Sequence, residues 1–414
     1  MRRLIVVLAV AAVLVAGVVA AIVIHRLQSQ PDIRGSSTEE FTLPTTTAAP
    51  KPPSVPGIQW SQYGYDAEHS RSVSVGLAPP FRKVWWYGAG SLVEFPPVVG
   101  YGRIYFSTNS GKFAAVSLKT GKRAWRYFSH RCVAASPALG TQQHGTVYAV
   151  FLNRPPCNAK KGDGRVIAFS AGLGRIRWQK KIGPSETSPV IDGNRLYVGD
   201  WNGSVWALDA RSGRTLWRYR THGAVKGAAA LSGGRLYVGS YDGHVYCLAA
   251  ATGRVIWKAS GQSRLFGRGR FYSTPTLAYG RVYIGSTDGR VYSFGATTGK
   301  LIWSHRTGNY VYASPAVWNG LVFAGSYDKR FYAFDGATGD VRWSFRANGP
   351  ISGSPTVIDG IVYFATLKRR TYALRARNGR QVWTYPDGKY SPAVAVKGRL
   401  VLVGYGKVYG MVPR

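Results

Sequence analysis

At 414 residues the chain is long enough for two or three ordinary domains, or for one closed array of repeats. Gly 51, Trp 13 and Tyr 26 against Met 2 describe short aromatic strands joined by tight turns and argue against a helical domain. Lys+Arg 54 against Asp+Glu 18 gives a net charge of +36, enough to attract any polyanion, but the basic residues follow turn glycines in every repeat (Gly121-Lys122, Gly213-Arg214, Gly299-Lys300). They do not gather on the single face of a nucleic-acid reader, so nucleic acid is not an expected partner.

Met1-Arg2-Arg3 precedes an uncharged apolar run from Leu4 to Ile24, which as a helix would cross a hydrocarbon core of roughly 30 Å. Residues 1–27 are expected to be an uncleaved signal-anchor, because the run shows no small-residue cleavage site and continues to His25-Arg26. The arginines at the amino terminus favour a cytoplasmic start, so the chain is expected to cross the cell membrane once with its bulk on the extracytoplasmic side. Residues 28–57 turn to Ser, Thr and Pro (TLPTTTAAPKPPSVP), too poor in apolar groups to pack. At about 3.1 Å per residue such a linker would hold a folded head several nanometres from the membrane.

Residues 58–414 are dominated by an eleven-residue unit ending in Trp and seen seven times, at Trp125, Trp178, Trp217, Trp257, Trp303, Trp343 and Trp383. The seventh residue of each unit is Gly, which suits a hairpin turn needing positive φ. Most tryptophan intervals are 39 or 40 residues, with insertions before Trp178 and Trp303, and each holds four short strand patterns. That is one propeller blade. The last repeat starts at Ser391-Pro392 and stops before any tryptophan strand, while RKVWWYG around Trp85 supplies one without a blade. Joining the two predicts an all-β, eight-bladed propeller of four-stranded antiparallel blades with no open sheet edge at its seam.

The Trp units resemble the tryptophan-docking motifs of the pyrroloquinoline-quinone (PQQ)-like β-propeller family, and Trp60-Ser61-Gln62-Tyr63-Gly64 through His69 resembles its leader. The resemblance implies that the seven tryptophans, and Trp85, dock against neighbouring blades. One branch of that family is quinone-dependent dehydrogenases, whose resemblance would imply an axial cofactor, a calcium site and often vicinal cysteines. This chain has no adjacent cysteines, and Asp242, Asp288 and Asp328 sit in turns, where Asp serves the backbone. No calcium cluster can be assembled, so no catalytic, cofactor or metal residue is expected. The other branch, BamB-like and non-catalytic, implies binding of envelope proteins; this chain lacks the lipidation Cys and has an apolar anchor instead. The expected function is thus a membrane-anchored, extracytoplasmic, non-catalytic protein-binding scaffold. The alternatives are a quinone-dependent dehydrogenase, or a binder of anionic wall polymer or lipid through Lys329-Arg330, Lys368-Arg369-Arg370 and Arg264, Arg268 and Arg270.

Residues two before each Ser-Pro strand start should ring the axial mouth: Glu94, Ala134, Glu186, Lys226, Tyr272, Tyr312, Ser352 and Lys389. Two ion pairs, Glu94 with Lys389 and Glu186 with Lys226, and two tyrosines would make a polar binding rim, although exposed pairs contribute only about 0–1 kcal/mol each. None of the three cysteines lies in a CxxC arrangement. Cys132 and Cys157 fall at the same end of adjacent strands and are expected to bridge; Cys247 reads as a small buried apolar residue.

Overall fold

The computed structural model describes residues 2–28, 30–43, 57–159, 162–264, 267–390 and 393–414, with side chains of the first helix described from Val10 to Val23. Eight four-stranded antiparallel blades surround one axis, the first seven ordered consecutively outward from a short inner strand. Those inner strands are Val98–Gly100, Ala138–Gly140, Val190–Asp192, Ala230–Ser232, Thr276–Ala278, Ala316–Trp318, Thr356–Ile358 and Ala393–Val396, in blades one to eight. Blade four is representative, with Ala230–Ser232, Arg235–Gly239, His244–Ala249 and Val255–Ser260. The second strands are almost wholly buried because blades stack face to face, whereas an outer strand such as Thr215–Arg220 alternates between half-buried and exposed positions.

Blade eight takes its outer strand from Phe81–Gly88, antiparallel to Lys407–Pro413. The ring thus closes without an unpaired edge at its seam. Indole N–H groups of Trp85, Trp125, Trp178, Trp217, Trp257, Trp303 and Trp343 donate to a carbonyl of the following blade at 2.9–3.2 Å. Each ring also covers the turn glycine of that blade: at Gly121, Gly174, Gly213, Gly253, Gly299, Gly339 and Gly379, a Cβ would lie 2.5–2.7 Å from the indole. Trp383 differs. The blade after it has no Trp-unit turn, because its outer strand comes from the other end of the chain, and the ring meets Phe81 edge-on at 5.5 Å.

Residues 57–77 fill the end of the channel opposite the mouth. No blade gives its inner strand an axial neighbour, so the N–H groups there need acceptors; the plug strands Ile58–Trp60 and Ser72–Val73 pair with the inner strands of blades one and seven. Leu139, Leu231, Leu277, Val317 and Val357 donate to the carbonyls of Ser61, Ala67, Glu68, Ser70 and Arg71, and Ile191 to the Gln62 side chain. Tyr63 rises from this plug toward the mouth, its ring stacked on the buried Arg71 guanidinium at 4.0 Å.

The amino-terminal readings change most. Arg2–Gln28 is one helix, but its side chains are described only from Val10 to Val23. Among the described residues no helix is long and apolar enough to cross a membrane, and the ends of the expected span over residues 1–27 lie outside the described side chains. Nor is the linker expected over 28–57 a free spacer throughout: residues 30–43 lie against blades five and six. Low apolar content was a poor guide because arginines of the propeller hold this segment by its carbonyls and acids. The Thr/Pro tract, residues 44–56, and Ser391-Pro392 lie outside the described residues.

Candidate binding site at the propeller mouth

Loops leading from each outer strand to the next inner strand converge at the mouth. Glu94, Glu186, Lys226, Tyr272, Tyr312 and Ser352 line one cup there, with Tyr63 of the plug and Tyr390. The Lys226 ammonium lies 2.8 Å from the Glu186 carboxylate. It also faces Trp201 at 4.2 Å, Tyr241 at 5.2 Å and Tyr272 at 6.0 Å, a cation held by aromatic faces. Lys389 and Ala134 are outside the cup lining. The Lys389 ammonium instead lies 5.3 Å from the Tyr390 ring and 5.0 Å from the Tyr405 ring.

Burial, then the nearby Glu186 charge, pushes the Glu94 carboxyl up to about 7, with Lys389 opposing. Burial also raises Glu186, against the pull of Lys226. Those charges hold the Tyr272 hydroxyl well above its ordinary range, chiefly through Glu186, and burial lifts Tyr390 to about 12. The rim therefore presents neutral phenols able to donate.

Tyrosines continue outward from the cup. Tyr241 and Tyr272 are 6.4 Å apart, Tyr272 and Tyr312 5.0 Å, Tyr312 and Tyr327 5.1 Å, and Tyr310 and Tyr312 5.6 Å. Arg270 lies over Tyr241 and Arg369 over Tyr405. Trp201, Tyr241, Tyr327 and Tyr405 were not singled out in the sequence, yet one signal marks them: each stands two residues past the end of its blade's second strand, as in Tyr241-Asp242-Gly243.

The turn aspartates are spent on structure. Asp242 accepts from the His222 and His244 backbone and from the Tyr246 hydroxyl, and Asp328 repeats the pattern with Gly308, Arg330 and Tyr332. The cup encloses about 50 Å³, room for a few waters and far below the ~300–1,000 Å³ of small-molecule sites. With Tyr63 as its floor, it does not fit a multi-ring quinone cofactor. Among the described residues no cluster of His, Cys, Asp or Glu could hold a metal ion.

Cys132 and Cys157 are joined in a disulfide. It fastens the blade-two insertion beside the mouth, where Arg131 also pairs with Asp163 at 3.0 Å. Cys247 is a buried free thiol raised by burial to about 11.

A family model described as outer membrane protein assembly factor BamB matches residues 81–182, 134–227, 202–317 and 287–414, in overlapping stretches. BamB of Escherichia coli (strain K12) is 29% identical over 138 residues, 30% of this chain and 31% of that relative. The chain thus spans under a third of the curated relative's length. The crystal structure of BamB from Moraxella catarrhalis is similar with a TM-score of 0.64 at 20% identity, covering 80% of this chain and 100% of that one. A europium-containing methanol dehydrogenase is similar with a TM-score of 0.72 at 13% identity, covering 86% of this chain and 98% of that one. At such identities the two structures speak to the fold alone.

Proposed function

Since the chain belongs to the family of outer membrane protein assembly factor BamB, we propose that it is a non-catalytic scaffold that binds partner proteins of the cell envelope at its propeller mouth. The observation that carries this reading is the run of tyrosines from Tyr241 through Tyr272 and Tyr312 to Tyr327, flanked by Arg270. Tyr, Trp and Arg are the side chains that dominate protein-binding hot spots, because they offer large rigid faces with few torsions to freeze. A quinone-dependent reaction is disfavoured by the size of the cup. We further propose that the apolar amino-terminal helix anchors the propeller to the outer face of the cell membrane.

The test is site-specific photocrosslinking in native membranes. A photoreactive residue replacing Tyr312 should give a discrete protein adduct, and one replacing Lys397, on the opposite face, should not. Equal adducts from both positions, or none from Tyr312, would refute the mouth as the binding site. Loss of the adduct in about half-molar salt would point to an anionic polymer and not to a shape-specific protein contact.

A further inference from the structure

Residues 30–43 descend the outer edge of the propeller from the mouth side to the opposite face. Ile33 exchanges backbone hydrogen bonds with Ser304, adding a short rung to the outer strand of blade five. Above it, Asp32 accepts from the Arg306 backbone at 2.8 Å and from the Arg290 guanidinium at 2.7 Å. Arg290 also donates to the Gln30 carbonyl, and Gln262 to that of Pro31. Below it, the fully buried Arg281 donates to the carbonyls of Ser36 and Glu39, while the Glu40 carboxylate accepts from the backbone of Thr297. These are fixed contacts made by buried cations, not an extended tether.

The helix ends at Gln28, so a single residue separates it from the docked Gln30. From Ile24, the last residue of the apolar run, four helical residues rise about 6 Å, and the two further steps to Gln30 add at most about 7 Å. The headgroup layer on one side of a bilayer is itself about 5–8 Å deep. Gln30, and the propeller rim bound to it, therefore cannot stand further than about one Debye length of ~8 Å from the headgroups. That rim is basic. Arg306 ends the outer strand of blade five; Arg330 and Arg346 pair at the same end of blade six; Lys329 adjoins Arg330 in the chain, and all four are exposed. The carboxylates nearby are already engaged, Asp32 by Arg290 and Asp328 by three hydrogen bonds.

We infer that the mouth-side rim of blades five and six rests on anionic lipid headgroups beside the anchor, with blade one held furthest from the bilayer. This rests on the proposed amino-terminal anchor. Basic side chains within a Debye length of an anionic surface are drawn to it, so the docked segment and the basic rim favour the same orientation.

The test uses the full chain in phosphatidylethanolamine vesicles with a minority of phosphatidylglycerol and a headgroup-labelled quencher lipid. A fluorophore is attached through Arg306→Cys, or through Arg126→Cys on blade one; the native Cys247 is buried. Quenching several-fold stronger for the Arg306→Cys label supports the orientation. Inserting about 20 Gly/Ser residues after Ser29, roughly 25 Å of flexible tether, leaves the propeller untouched and should abolish that difference. Equal quenching of the two labels, or a difference unchanged by the insertion, overturns the orientation while co-flotation with vesicles shows the anchor intact. Failure to co-float overturns the anchor, and the orientation with it.

Discussion

Gly121→Ala should destabilise the propeller far more than Gly102→Ala, although both residues belong to blade one and share nearly the same backbone angle. Gly121 has φ +70 and Gly102 φ +69. An alanine at either position pays about 1 kcal/mol for the left-handed conformation. A Cβ at Gly102 meets nothing within 4 Å, whereas at Gly121 it lies 2.5 Å from the Trp85 ring. Trp85 cannot retreat easily: its face covers this turn and its N–H donates to the Leu118 carbonyl at 3.2 Å. Overpacking of this kind costs about 1–3 kcal/mol more. The expected losses are thus about 1 kcal/mol for Gly102→Ala and about 2–4 kcal/mol for Gly121→Ala, read as shifts in urea midpoint at constant m. Because Trp85 belongs to blade eight, the larger loss also measures the seam. Equal midpoints for the two variants would show that the left-handed turn shape, and not the ring above it, is what glycine serves there.

Reduction of the Cys132–Cys157 bridge, which spans 25 residues of sequence, should add two hydrogens to the intact mass and cost about 3 kcal/mol by loop entropy; an unchanged melting temperature would mean that the insertion is held by other contacts. Glu94 has a folded pKa raised to about 7, so its contribution is full below its unfolded value of about 4.5 and is lost as pH rises through 7, by up to about 3 kcal/mol. Urea midpoints should fall from pH ~5 to ~8 more steeply in the native chain than in Glu94→Gln, and matching slopes would remove Glu94 as the cause. Lys226→Ala should cost about 2 kcal/mol by leaving the Glu186 carboxylate without its ammonium partner, and Glu186→Gln in the same chain should recover most of it. No recovery would place the loss in the Trp201 and Tyr241 contacts instead.

The blade count was legible because each blade repeats one side-chain pattern, and seven copies of a Trp unit plus an unpaired Trp85 strand leave one way to close the ring. The Cys132–Cys157 bridge was legible for a related reason: the strand order places both at one end of a single blade. Segments that occur once were harder to read. The plug is held through backbone carbonyls of Ser61, Ala67, Glu68 and Ser70, which no residue type announces. Residues 30–43 looked like solvent-exposed chain because their partners, Arg281 and Arg290, sit about 250 positions away and resemble the other basic residues that open strands. The second tier of mouth aromatics was visible in outline, since Trp201, Tyr241, Tyr327 and Tyr405 share one place in the repeat; only the fold shows that this place borders the axis.

The strand Phe81–Gly88 is made before any of the eight inner strands, yet its partner Lys407–Pro413 ends one residue short of the last. Of the propeller it is among the first parts to leave the ribosome and the last to be satisfied. Until Lys407–Pro413 is made it presents a bare strand edge with Trp85 and Trp86, the kind of surface that pairs with whatever strand is nearest. Its loop closure spans nearly the whole propeller, the arrangement that folds slowly. A chain shortened by the strand Lys407–Pro413 would therefore not be a propeller lacking a corner but an open, aggregation-prone ribbon.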